Sequence, residues 1–456
     1  NISCPIIKYI RKIPFKLLIL IYRIFSMQHA FRHCSFFCHG HDMNSSSTPS
    51  TLNTEATSVL SREWIHKGTK AYKHAGFALF LVGFASFSLI YCVQPLLPAF
   101  SQSFQISPAS SSLALSLTTA FLAISIVLSS AFSQAIGRRG VIFASMLCAA
   151  ILNIVSMFTP NWHSLLIARA LEGLLLGGVP AVTMAWIAEE IAPEHLGKTM
   201  GLYIAGTAFG GMMGRVGMGI LVEYFSWRTA LGLLGAICFI CSIAFLKLLP
   251  VSRNFVQKKG LNLGFHMQMW RAHLSNTKLL RLFAIGFLLT SVFVTLFNYA
   301  TFRLSGAPYS LSQTQISLIF LSYSFGMVSS SLAGSLADRF GKKTMMMSGF
   351  ALMIVGSLMT LLSSLFGIII GIAFITTGFF ITHSLTSSSV GAESKQAKAH
   401  ASSLYLLFYY MGSSIVGSAG GWFWLHGGWS AIVGLTVFLF FIGIFLAIYT
   451  SHAKAH

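Results

Sequence analysis

Apolar residues in this chain gather into long runs separated by short polar stretches. A helix needs about 20 apolar residues to cross the hydrocarbon core of a bilayer. Runs of that size fall at 76–98, 111–135, 140–159, 163–187, 199–222 and 228–248. A second set follows at 281–302, 315–336, 343–364, 366–390, 401–424 and 429–450. The pattern predicts an all-α integral membrane protein with twelve transmembrane helices. The first six form a bundle over 76–248 and the second six a bundle over 281–450.

Composition narrows the function classes. At about 150 residues per domain, 456 residues would allow two or three soluble domains. Only 9% of residues are charged and 55% are hydrophobic, whereas soluble domains carry about 25% charge. That excludes a soluble enzyme, a disordered scaffold and a nucleic-acid binder.

The net charge of +20 comes from 30 Lys and Arg against 10 acids, and the basic residues sit between the apolar runs. They concentrate in 137–139, 188–198, 249–280, 337–343 and 391–400, while the alternate connections hold only Arg228 and Arg303. Basic loops stay on the cytoplasmic side, so both termini are expected there. The 249–280 linker contains Arg253, Lys258, Lys259, Arg271 and Lys278 and no acid. It is expected to lie on anionic headgroups, each basic residue contributing about 1 kcal/mol.

The seven cysteines show no disulfide spacing. Residues 1–75 read as a cytoplasmic segment, with 1–42 an extension upstream of a natural start near Met43. The run from His33 to His41 is not expected to hold a metal, and no cofactor is expected. Residues 451–456 read as a cytoplasmic tail.

An internal repeat is visible. SAFSQAIGRR at 130–139 matches GSLADRFGKK at 334–343, offset by 204 residues, and Gln94 matches Asn298 at the same offset. At 202, Gly210 matches Gly412 and Trp227 matches Trp429. A parallel six-plus-six repeat places a binding site near midplane between the halves.

The stretch Gly334–Lys343, with Asp338, Arg339, Gly341 and Lys342, resembles the signature loop of the major facilitator superfamily. The first copy keeps Gly137, Arg138 and Arg139 but has Gln134 and Ala135 in place of the Asp and Arg. Arg169-x-x-Glu172-Gly173 is similar to the family's R-x-x-Q-G motif, with Glu for Gln. Gly206-x-x-x-Gly210-Gly211-x-x-Gly214-Arg215 resembles the antiporter motif G-x-x-x-G-P-x-x-G-G, with Gly211 and Arg215 as departures. The resemblance covers 76–450 and is nearest to the twelve-span drug:proton antiporters, particularly bacterial inner-membrane efflux proteins of YnfM type. It implies a secondary transporter in the bacterial inner membrane, exporting a drug, sugar or metabolite by alternating access. It also implies a cytoplasmic latch at Asp338 and a flexible interface between the glycines of the fifth span and the eighth span. Ordinary tight packing is the competing reading of those glycines.

Only Arg169, Glu172 and Arg215 are ionisable and well inside the runs. Intramembrane charges are costly, so they pair or line water. At about 1.5 Å per residue, Arg169 lies roughly 9 Å, Glu172 roughly 13 Å and Arg215 roughly 12 Å from the outer surface. The expectation is a buried cluster of one carboxylate and two guanidiniums. Glu172 alone of the three can change protonation, so it is the candidate proton carrier; a static brace between the fourth and fifth spans is the alternative, and anion binding a third. Gln94, Asn298, Tyr299 and His383 are the polar candidates for solute contact. Glu189, Glu190 and Glu194 suggest gating salt bridges at the cytoplasmic surface.

The reading is a proton-coupled exporter, not an enzyme, binding a small molecule and the bilayer but no nucleic acid, and working as a monomer. Proton-coupled uptake, and a receptor or scaffold on the same fold, are the alternatives.

Overall fold

The computed structural model describes residues 63–255, 263–394 and 396–450. The sequence expectations for 1–62, including the extension and the His33–His41 run, and for the 451–456 tail lie outside these residues, as do Lys258 and Lys259. Apart from one isolated β-bridge, the described chain is helical. Nine of its helical stretches are long and apolar enough to cross a membrane.

The first group of helices comprises α1 (Lys70–Tyr91), α2 (Leu97–Phe104), α3 (Pro108–Ile136), α4 (Arg138–Ser156), α5 (Trp162–Leu176), α6 (Gly178–Glu190), α7 (Leu196–Tyr224) and α8 (Trp227–Leu248). A connecting helix α9 (Leu263–Ser275) leads to the second group: α10 (Thr277–Ser305), α11 (Gln313–Ser317), α12 (Tyr323–Phe340), α13 (Lys342–Met359), α14 (Leu365–Glu393) and α15 (Lys398–Thr450). Gly428 breaks α15 with φ 57°. Left-handed backbone is open to glycine at little cost, so this one element is two rods.

Three expected spans are interrupted. The run expected over 76–98 gives way between α1 and α2 to a 3-10 turn at Gln94–Leu96. Pro95 and Pro98 lack the N–H that would close the helical ladder there. The fourth run breaks at Gly177, between α5 and α6, and the eighth passes through a 3-10 stretch at Leu318–Ser322. The 249–280 linker is also not a plain tether: α9 buries His266 and His273. His266 bonds to His400 across 2.8 Å.

Helix starts are conventional where the sequence supplies caps. Ser107, Asn161, Ser226 and Asn276 each accept a backbone N–H from the first turn of the helix that follows, which satisfies donors that the ladder leaves free. Side-chain bonds identify which ends lie together. Arg138, Glu189, Glu190 and Arg253 meet at one end, hereafter the basic end. At the other, Arg228 reaches the Thr159 carbonyl at 2.5 Å and Trp227 donates to Ser103.

The two groups repeat each other's packing. Gly137 and Gly341, 204 positions apart, have nearly the same backbone, φ 95° and ψ 140° against φ 85° and ψ 140°. A Cβ on Gly210 would stand 2.2 Å from the Phe84 carbonyl, and one on Gly412 would stand 2.2 Å from the Phe287 carbonyl. Gly83 approaches the Tyr203 carbonyl in α7, and Gly286 approaches the Tyr405 ring in α15.

Candidate transport site

Two buried guanidiniums organise the interior. Arg169 and Glu172 lie one turn apart on α5, so their side chains share a face. Both are completely buried and form an ion pair. Arg169 also donates through Nη2 to the carbonyls of Leu89 and Ile90, each at 3.0 Å. Those carbonyls lie in the last turn of α1, past which the α-helical ladder does not continue. Cys92 touches the same guanidinium, and Asn153 touches Cys92. All of these neighbours belong to the first group. Glu172 Oε1 has no hydrogen-bond partner in this structure.

Arg215 is held differently. Its Nε donates to Gln94 Oε1 at 2.6 Å and its Nη1 to the Gly211 carbonyl at 2.5 Å. Its charged end lies over the rings of Tyr91 at 4.1 Å, Tyr323 at 4.9 Å and Phe320 at 5.2 Å. Aromatic faces attract a cation by about 0.5–2 kcal/mol each. Arg215 forms no ion pair among the described residues. The expected cluster of three charges is therefore a pair plus a separate cation. Similar depth on two helices does not set the direction in which each side chain points.

Gln94 completes the junction between the groups. Its Nε2 donates to Asn298 Oδ1 at 2.8 Å, so the two repeat-related amides bond to each other. Asn298 Nδ2 is buried without a partner. Tyr299 instead donates to the Gly417 carbonyl at 3.1 Å and stacks on Trp424. His383 bonds to the Tyr405 hydroxyl at 2.8 Å and lies against Phe379 and Tyr409. Gln94, Asn298 and Arg215 thus form one unit, and Tyr299 and His383 stand outside it. Tyr91, Phe320 and Tyr323 belong to the unit but were not among the sequence candidates; Tyr91 alone carried a signal, its place just before Pro95 and Pro98, and the eighth run gave none for Phe320 and Tyr323.

Further bonds between the groups run from the middle of the helices toward the end opposite the basic one. Thr119 bonds to Ser414 at 2.7 Å, Ser418 to Ser116 at 2.8 Å, and Glu223 accepts from the Thr314 N–H at 3.0 Å. At the basic end the ion pairs stay within a group. Arg138 grips Glu189 with two bonds, at 2.7 and 3.2 Å, and Arg139 donates to the Leu246 carbonyl. Glu190 accepts the Arg253 and Asn254 backbone N–H groups. Asp338, Arg339, Gly334, Gly341 and Lys342 are exposed, and Asp338 has no ion pair among the described residues.

The glycine stripe has a different partner from the one the resemblance implied. Gly206, Gly210 and Gly214 meet Phe80, Phe84 and Ser88 of α1, not the eighth span. Residues four apart share a helix face, and this face matches a four-residue spacing on α1. Gly211 is not part of it, since a Cβ there would meet only Arg215 Nη1 at 3.4 Å. Gly219 is the residue that packs on Ser317 of the eighth run.

Comparison with known proteins gives a consistent picture. The profile described as Major Facilitator Superfamily matches residues 79–310 and 304–456. The chain is 42% identical over 390 residues to the uncharacterized MFS-type transporter YybF of Bacillus subtilis (strain 168), covering 86% of this chain and 96% of that one. It is 42% identical over 398 residues to the inner membrane transport protein YnfM of Escherichia coli (strain K12), covering 86% and 94%. Among solved structures, a bacterial homolog of the human lysosomal transporter Spinster, in an inward-facing and unoccupied conformation, superposes with TM-score 0.69. It shares 12% identity and covers 86% of this chain and 100% of that one.

Proposed function

The chain belongs to the Major Facilitator Superfamily and so is a multi-pass secondary transporter of small solutes, not an enzyme; we propose that it exports its solute in exchange for protons. Twelve spans in two six-helix halves, 76–248 and 281–450, would rock about the Gln94–Asn298–Arg215 junction. The recurring glycine approaches support that division. By the positive-inside rule the basic end faces the cytoplasm, with both termini there, in a bacterial inner membrane.

The observation that carries proton exchange is the Glu172 carboxylate, enclosed among helices with one oxygen on Arg169 and the other unpartnered. It sits inside the first half, not between the halves. A proton on Glu172 would weaken its hold on Arg169, which anchors the broken end of α1. Tyr91 and Gln94 of that same break touch Arg215 and Asn298. Protonation thus reaches the junction by a continuous chain of contacts, without competing with solute for one side chain.

Everted membrane vesicles from cells overproducing the protein test the direction. Vesicles acidified by respiration and given a compound panel should release protons when a transported compound is added. Release no greater than from vesicles lacking the protein, across compounds whose extrusion the protein increases, would contradict exchange.

A second reading concerns the solute. Arg215 is a buried cation at the junction without a carboxylate, and an uncompensated buried charge is costly. A solute carrying a negative group would supply the missing charge, and anionic compounds in the panel should then depend on Arg215 most strongly.

A further inference from the structure

Outside the transport site, three side chains with metal-ligand chemistry converge at the basic end. His66 precedes α1, and Glu194 and His195 occupy the turn between α6 and α7. Their ligand atoms all lie within 4.8 Å of one another. His66 Nδ1 stands 3.3 Å from Glu194 Oε1, and His195 Nε2 stands 4.0 Å from the same oxygen.

The backbone brings them together independently of the side chains. Ile65 and Ile191 form a parallel bridge. The Ile65 N–H donates to the Glu190 carbonyl at 2.8 Å, and the Ala192 N–H returns to the Ile65 carbonyl at 3.3 Å. Pro193 opens a 3-10 turn that presents the next two residues. Thr69 Oγ1 donates to the His66 carbonyl, and Thr199 Oγ1 to the His195 carbonyl. The Tyr72 ring lies edge-on to His195 at 5.8 Å. The neighbouring acids are engaged elsewhere, Glu189 by Arg138 and Glu190 by two backbone N–H groups.

We propose that His66, Glu194 and His195 bind a borderline divalent cation of the zinc type, which fastens the segment before α1 to the α6–α7 turn. Two imidazoles and one carboxylate are the donor set of a three-ligand zinc site with water in the fourth position. Bonds of about 2.0–2.1 Å in a tetrahedron separate the donors by about 3.4 Å. The 3.3 Å pair already has that spacing, and His195 must close by a fraction of an ångström or more. The exposures of 58%, 57% and 24% for His66, Glu194 and His195 leave the side chains room to do so. The cation would bridge the entry of α1 to the turn that joins the Glu172-bearing and Arg215-bearing stretches.

The test is zinc binding by the purified full chain in detergent, measured by isothermal titration in metal-free buffer. Residues 1–62 contain other His and Cys, so the informative quantity is the difference between variants. The full chain should bind one equivalent more than the His66→Ala, His195→Ala double variant, and Glu194→Gln should weaken that equivalent at least tenfold. Glu194→Gln keeps an exposed polar side chain, so it decides the matter if the double variant folds poorly. Equal stoichiometry and affinity in the full chain and Glu194→Gln, or no zinc binding at all, would overturn the proposal.

Discussion

Arg169 and Arg215 are both fully enclosed, yet the protein accommodates the two charges by opposite means. Arg169 has an acid one turn away and two backbone carbonyls, all within the first group. Arg215 has an amide, a carbonyl and three aromatic faces, with Tyr323 and Phe320 contributed by the second group. The first arrangement is local and can change its charge by taking up a proton. The second keeps its charge and spans the junction, so it is sensitive to movement of one group against the other. On the proposed function, the first site would couple energy and the second would transmit movement.

The largest expected effect breaks the local pair. Arg169→Met would leave Glu172 buried without its counter-charge, a loss of about 3–5 kcal/mol. The melting temperature in detergent should fall sharply, and the double variant Arg169→Met, Glu172→Leu should recover much of it. A single variant as stable as the natural chain would refute the pairing.

Next comes the glycine face of α7, the helix that also carries Arg215. Gly210→Leu would drive a side chain into the Phe84 backbone, costing at least about 1–3 kcal/mol by overpacking. Gly211→Ala has only the guanidinium tip to meet and should be nearly neutral. Comparable losses in both would show that the stripe does not face α1.

Arg215→Lys is a smaller change with a more specific readout. Lysine keeps the charge but loses the planar fork that serves Gln94 and Gly211 together. A stability loss of about 1–2 kcal/mol is expected, with flux reduced more than surface expression. Unchanged flux would remove Arg215 from the moving junction.

The smallest effect sharpens the contrast at the basic end. Asp338→Asn should alter stability by less than about 0.5 kcal/mol, because an exposed charge outside an ion pair contributes little. Arg138→Gln, which breaks a two-bond grip on Glu189, should cost more. Thermal denaturation of the two variants side by side would reveal a reversed order.

The difference between the two arginines also marks how far the sequence could be read. Spacing placed Arg169 and Glu172 on one face because they share a helix. Arg215 and Gln94 are 121 positions apart, and hydropathy gives depth but not the direction a helix faces. The repeat pointed to Gln94 and Asn298 as equivalents, although nothing in a one-dimensional pattern says that equivalents touch. The glycine period was legible while its partner was not, since period reports only one side of a contact. Pro95 and Pro98 were visible, but the long apolar run over 76–98 hid the break they cause. In α9 Arg271 is the one charged residue, and the basic residues on either side of the helix hid its apolar and imidazole positions.

Solute accumulation driven by a pH gradient through Glu172→Gln is the most direct measurement. In proteoliposomes with an imposed pH gradient and a solute the natural chain transports, Glu172→Gln should no longer accumulate solute against its gradient, while solute-for-solute exchange persists. Full gradient-driven accumulation by Glu172→Gln would contradict the coupling role and leave the Arg169 pair as a brace.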